Sequence, residues 1–172
     1  MMDRRRWTFV ASALFALAFD QLSKVWARHA LLPIYPRVVT VIPRYWEFRY
    51  SENPGAAFGL LRDLPFAHLL FVPIALAIAV GAFVYLKRAE LRRPLRVAVE
   101  LGLVVGGALG NAFDRVLYGR VTDFVVWKIG THEWDTFNIA DAALVLGILG
   151  LLVDLRSGAG ASKAKTAARA AG

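Results

Sequence analysis

An all-α membrane protein, a bundle of four transmembrane helices with a small β-sheet cradle on its outer face, is the fold class this sequence predicts. Three observations predict it. The 172 residues are 58% hydrophobic and 20% charged, with a mean hydropathy of +0.49, too apolar for an ordinary soluble domain. The apolar residues gather into four runs, each near the ~20 residues that cross a bilayer. The basic residues alternate with those runs: Arg4, Arg5 and Arg6 come first, Lys87, Arg88, Arg92, Arg93 and Arg96 lie between the second and third, and Arg156, Lys163, Lys165 and Arg169 follow the fourth. One side of a membrane can collect all three groups. This is the positive-inside pattern, which puts both termini and the middle loop in the cytoplasm. It accounts for the net charge of +8 without nucleic acid.

The first run covers about residues 7–29 and carries Asp20 and Lys24. Its start imitates a cleavable signal peptide, with Arg4 to Arg6, an apolar stretch and Ala16-Leu17-Ala18. The apolar pattern continues past Lys24 through Val25, Trp26 and Ala27, as in a retained helix. In the outer segment that follows, Trp46, Phe48 and Tyr50 alternate with Glu47 and Arg49, a period-two pattern for a strand with one aromatic face. Those rings are expected at the lipid interface. The second run, about 67–86, is free of charge. The third, about 97–117, has Gly102, Gly106 and Gly110 at every fourth position, a smooth face against which a neighbouring helix can pack closely. A second strand-like stretch, Val121 to Trp127, precedes the fourth run at about 137–155, where Ala143 and Gly147 again make a small-residue face. Residues 1–156 are expected to form one membrane domain, and 157–172 a basic, disordered cytoplasmic tail.

Within this topology Asp20, Asp114, Asp123 and Asp141 all approach the outer leaflet, while Glu100 stays near the inner end of its helix. Ionisable residues at membrane depth are costly, so four at one level point to a site. Asp20 and Lys24 lie one helical turn apart and can pair, which alone would be a structural feature. Asn111-Ala-Phe-Asp114 and Asn138-Ile-Ala-Asp141 each put an amide and a carboxylate on one side of a helix. Arg115, adjacent to Asp114, suggests that this carboxylate is ionised and paired, whereas Asp123 has no basic neighbour. Cysteine is absent, which excludes disulfides, thiolate metal sites and a cysteine nucleophile, and His29, His68 and His132 have no metal-ligand spacing; chemistry by paired carboxyls needs neither a metal nor an organic cofactor. Two facing carboxyls in a low-dielectric site share one proton. Such a pair can hydrolyse a peptide bond, and the same acids could equally relay protons or cations.

The motifs Asp20-Gln-Leu-Ser-Lys24, Asn53-Pro-Gly-Ala-Ala-Phe58, Gly110-Asn-Ala-Phe-Asp-Arg115, Val121-Thr-Asp-Phe124 and Phe137-Asn-Ile-Ala-Asp141, in that order, resemble those of bacterial lipoprotein signal peptidases (signal peptidase II). The resemblance implies an aspartyl endopeptidase of the bacterial inner membrane, facing the periplasm. It would cut the signal peptide from diacylglyceryl-modified prolipoproteins, N-terminal to the lipidated cysteine. The implied catalytic residues are Asp123 and Asp141. Asp20, Lys24, Asn53, Gly55, Asn111, Asp114, Arg115, Asn138 and Ala140 fall on motif positions that order or line the family's site. No metal is implied; the partners are the prolipoprotein and membrane lipids, and a monomer is expected. Pro54 and Thr122 depart from the commonest pattern, threonine and a second valine respectively. Neither departure removes a titratable group.

Overall fold

The computed structural model describes residues 3–54, 67–88 and 94–170, with side chains over 3–54, 70–87 and 94–156. Helices α1 (Arg4–Ala30), α2 (Ala67–Arg88), α3 (Leu95–Tyr118) and α4 (Ile139–Ala170) accompany strands β1 (Val38–Ile42), β2 (Trp46–Asn53), β3 (Val121–Ile129) and β4 (His132–Glu133). Among the described residues, three helical stretches, α1, Leu70–Lys87 of α2, and α3, are long and apolar enough to cross a membrane by length and composition.

The helices are inverted relative to a water-soluble bundle. On α1 the large apolar side chains Leu14, Phe15, Phe19 and Leu22 are exposed, while Asp20 and Lys24 are buried, the arrangement expected where hydrocarbon is the solvent. Asp3 starts this helix, its carboxylate accepting from the backbone N–H groups of Arg5 and Arg6 at 2.9 and 3.0 Å, a conventional N-cap. Helix α3 sits between the others and touches all three. Its glycine face allows this. A Cβ on Gly102 would lie 2.6 Å from the Ser12 Cβ, and one on Gly106 would lie 2.5 Å from the Ala13 carbonyl oxygen. Towards α4, a Cβ on Gly107 would lie 2.5 Å from the Ala140 carbonyl oxygen, and one on Gly147 would lie 2.6 Å from that of Glu100. Helix α3 ends where Gly119 turns left-handed at φ 69°, a conformation glycine adopts without strain. At the N-terminal end of α3, the Arg96 Nε donates to Asp154 Oδ1 at 2.6 Å, joining α3 to α4. Helix α4 continues to Ala170, beyond the Leu155 limit of the expected span and through the expected disordered tail. The many alanines and lysines of residues 159–170 favour helix intrinsically.

The four strands form one antiparallel sheet in the order β1-β2-β3-β4. The two strand-like stretches legible in the sequence pair with each other, with Ser51 opposite Asp123 and Asn53 opposite Val121. Trp46, Phe48 and Tyr50 pack with Ala27, Leu31, Phe124 and Val125 in a small core between the sheet and the C-terminal end of α1. The Trp26 ring meets Phe48 edge-on at 5.0 Å, and Trp46 meets Phe48 at 5.1 Å. Such contacts add to the gain from burying apolar area. The aromatic face of β2 thus fixes the sheet, and with it Asp123, to the bundle.

Candidate active site

Two groups of buried side chains meet at the C-terminal ends of α1 and α3 and the N-terminal end of α4. The first is an ion network. The Lys24 ammonium is fully buried, 2.9 Å from Asp20 Oδ2 and 3.6 Å from Asp114 Oδ2, and it donates to Asn111 Oδ1 at 2.9 Å. The remaining Asp20 oxygen accepts from the Ala140 backbone N–H at 2.9 Å. Ala140 is itself wholly buried, its carbonyl oxygen against Gly107 and its Cβ towards Gly110, so a larger side chain there would push against α3. Gln21 adds bonds to Asp20 Oδ2 at 3.0 Å and the Gly110 carbonyl at 3.1 Å. Asp114 is paired, but Arg115 is not the cation that pairs it. Lys24 and Arg28, each 3.6 Å away, do so. Consecutive helical residues diverge in direction while i and i+4 align, so Arg115 turns elsewhere. It packs over the Phe71 ring at 4.5 Å, and its Nη1 donates to the Asn111 carbonyl oxygen at 3.1 Å.

The second group is the pair Asp123 and Asp141, held together by amides. Asn138, immediately before α4, caps it reciprocally: its Oδ1 accepts from the Asp141 backbone N–H at 3.0 Å, and its own N–H donates to Asp141 Oδ2 at 3.2 Å. This is a capping box built from Asn and Asp. The Asn138 side-chain amide then donates to Asp123 Oδ1 at 2.6 Å and to Asn111 Oδ1 at 3.1 Å. Asn111 Oδ1 is therefore taken by two donors, Lys24 and Asn138. Its Nδ2 is left to point at Asp141 Oδ1, 2.8 Å away. Lys24 thus connects the two groups, because its charge sets the orientation of the amide that meets Asp141.

Asp123 lies on β3, outside the helices, and is 3% exposed. Burial first, and the charge of Asp141 second, push its carboxyl up to about 7, against smaller opposing effects from the Asn138 and Asn53 amides and the Lys24 charge. Near neutrality it can hold a proton and release it. The sequence-predicted residues Asp20, Lys24, Asn53, Asn111, Asp114, Arg115, Asp123, Asn138, Ala140 and Asp141 come together around this point. Gly55 lies outside the described residues. Arg28, Gln21 and the hydroxyl of Thr122 were not anticipated as parts of the network. Among the described residues, no group of three or more His, Cys, Asp or Glu side chains is arranged to hold a metal ion.

An apolar helical scaffold with carboxylates, amides and a lysine ammonium buried in its interior defines a membrane protein with a polar site suited to acid–base chemistry. Residues 12–156 match the family model described as signal peptidase (SPase) II. A lipoprotein signal peptidase of Xylella fastidiosa strain 9a5c is 39% identical over 146 residues, covering 84% of each chain. One from Xanthomonas euvesicatoria pv. vesicatoria strain 85-10 is 39% identical over 142 residues, covering 82% of this chain and 81% of that one. A bacterial membrane enzyme solved by the in meso method superimposes with a TM-score of 0.75 at 30% identity, over 87% of this chain and 88% of that one. The protein belongs to the signal peptidase II family, and is an aspartic-type membrane peptidase.

Proposed function

We propose that Asp123 and Asp141 are the catalytic pair of this lipoprotein signal peptidase, with Asp141 as the base and Asp123 as the acid. The observation that carries the reading is that one residue, Asn138, grips both carboxyls. Both Asp141 oxygens accept from amide N–H groups, which suits the anion. Asp123 takes the proton. Asp20 and Asp114 are already matched to Lys24 and Arg28 and are occupied structurally.

The chemistry follows from that division. Asp141 removes a proton from water as the water oxygen attacks the scissile carbonyl carbon, while Asp123 gives its proton to the carbonyl oxygen. The resulting diol collapses as Asp141 passes its new proton to the leaving nitrogen and Asp123 takes one back from a diol hydroxyl. The C–N bond breaks, and the pair returns to its starting state. The products are a signal peptide ending in a carboxyl group and a lipoprotein beginning with the amine of its lipidated cysteine. Asn53, beside the pair, and Arg115 are candidates to hold the extended substrate, whose backbone groups need partners away from bulk water.

In this reading α4 is the fourth span. The enzyme is a monomer in the bacterial inner membrane, with both termini cytoplasmic and the pair at the outer leaflet, where a diacylglyceryl-cysteine would present the bond. The family match leaves the carrier reading of the same acids without support. The test is cleavage of a lipid-modified prolipoprotein by purified enzyme with a chelator present. Asp123→Asn and Asp141→Asn are expected to fold and lose cleavage by at least 10³-fold, on the order of the loss on removing a general acid or base. Activity retained in either variant, or abolished by the chelator, would remove this assignment.

A further inference from the structure

The motif residues do not account for Arg28, near the C-terminal end of α1. Its Nη1 donates to the Thr122 hydroxyl at 2.7 Å and lies 3.6 Å from Asp114 Oδ2, with its guanidinium over the Tyr118 ring at 4.5 Å. The same Asp114 oxygen accepts the Thr122 backbone N–H at 2.9 Å. Thr122 is therefore held twice, by its hydroxyl to α1 and by its backbone to α3. It is 3% exposed, and the next residue is Asp123. Asp141, in contrast, is placed by the N-terminus of α4. Asn138 bridges the two carboxyls, and how firmly the start of β3 is fixed to α1 and α3 sets where Asp123 meets that bridge.

We infer that Arg28 is a positioning residue for the peptidase reaction, acting through the Thr122 hydroxyl to set where Asp123 stands relative to Asp141. The inference rests on Asp123 and Asp141 being the catalytic pair. A valine at position 122 could not accept the Arg28 bond, so the Thr122 hydroxyl is the link from Arg28 to β3. Hydrogen bonds to a charged group are the stronger ones, and small displacements of a catalytic group reduce turnover steeply.

The experiment compares Arg28→Met, Thr122→Val, Thr122→Ser and the double variant Arg28→Met/Thr122→Val with wild type and Asp123→Asn, using purified enzyme and a lipid-modified prolipoprotein. Arg28→Met and Thr122→Val are each expected to lower kcat by about tenfold with KM unchanged. The double variant should be no worse than the poorer single one. Thr122→Ser, which keeps the hydroxyl, should regain most of the loss. If Arg28→Met does not fold, the near-isosteric Thr122→Val and its serine counterpart decide alone. Unchanged kcat in Thr122→Val, losses that multiply in the double variant, or an effect confined to KM would overturn the inference. Activity retained in Asp123→Asn would instead overturn the catalytic pair on which it rests.

Discussion

Asp123 is where the acid–base properties of the site can be measured directly. Its ordinary value of 3.8 is raised to about 7, so between those values the folded protein binds a proton that the unfolded chain has lost. Stability contributed by this group therefore decreases as pH rises through that window, and the full penalty stands above it. Two outcomes are expected. The pH–rate profile should fall on its alkaline side near pH 7 as the acid is lost, and the apparent melting temperature of Asp123→Asn should exceed that of wild type at pH 8, with the difference shrinking towards pH 4. A profile flat to pH 9 would contradict the first, and equal melting temperatures at pH 8 the second. Lys24 supplies a complementary case. Lys24→Met leaves Asp20 and Asp114 buried beside one cation fewer, which should cost about 3–5 kcal/mol, and Asp20→Asn in the same chain should restore part of the lost thermal stability. The pairing of Asp20 with Lys24 was legible in the sequence because both lie on one helix at i and i+4. Arg115 misled because adjacency in sequence is not adjacency in space on a helix. The contact between Arg28 and Thr122 spans 94 positions, and local spacing carries no signal for it.

Among the elements, the helices were the most legible, since each is announced by an apolar run of sufficient length. The order of small residues on α3 also carried through to packing, with Gly102 and Gly106 against α1 and Gly107 against α4. The effect of filling these positions can be ranked. A Cβ on Gly106 would sit 2.5 Å from the Ala13 carbonyl oxygen and 2.7 Å from the Ala16 Cβ, whereas one on Gly81 of α2 would meet nothing within 4 Å. Gly106→Ala should therefore destabilise by about 1–3 kcal/mol as α1 and α3 are pushed apart, and Gly81→Ala should be neutral or slightly stabilising through helix propensity. Thermal unfolding in detergent would check the order, and similar melting temperatures for the two would contradict it. The strands were less legible. Strand β2 shows in its alternation and most of β3 as a strand-like stretch, but Val38 to Ile42 is a short apolar stretch between Pro36-Arg37 and Pro43-Arg44, and β4 is two residues long. The destination of the aromatic face was also hidden, because only the fold brings Trp26 and Phe124 to Phe48.

For the whole molecule, the decisive property is that its polarity is reversed. Leu146, Leu149, Leu152 and Val153 of α4 are exposed, as are Leu76, Val80 and Phe83 of α2, while the fully buried side chains include Lys24, Asp20, Asp114 and Asn138. Water would penalise both halves of that arrangement, and a bilayer favours the first while enclosing the second. The positive-inside rule then predicts a direction of insertion. Arg4 to Arg6 precede α1, Lys87, Arg88, Arg92, Arg93 and Arg96 lie in and around the link from α2 to α3, and Arg156 falls within α4 near the end of its apolar stretch, whereas the sheet and the carboxyl pair lie at the opposite ends of α1 and α3. If all four helices cross the bilayer, the positive-inside rule puts Trp134 and Gly172 on opposite sides of it. Alkaline phosphatase, which is active only outside the cytoplasm, should be active when inserted after Trp134 and inactive when fused after Gly172, with a cytoplasmic reporter giving the reverse. Phosphatase activity at both positions would mean that α4 does not span, and the amide cap that presents Asp141 would then need another explanation for its place at the outer leaflet.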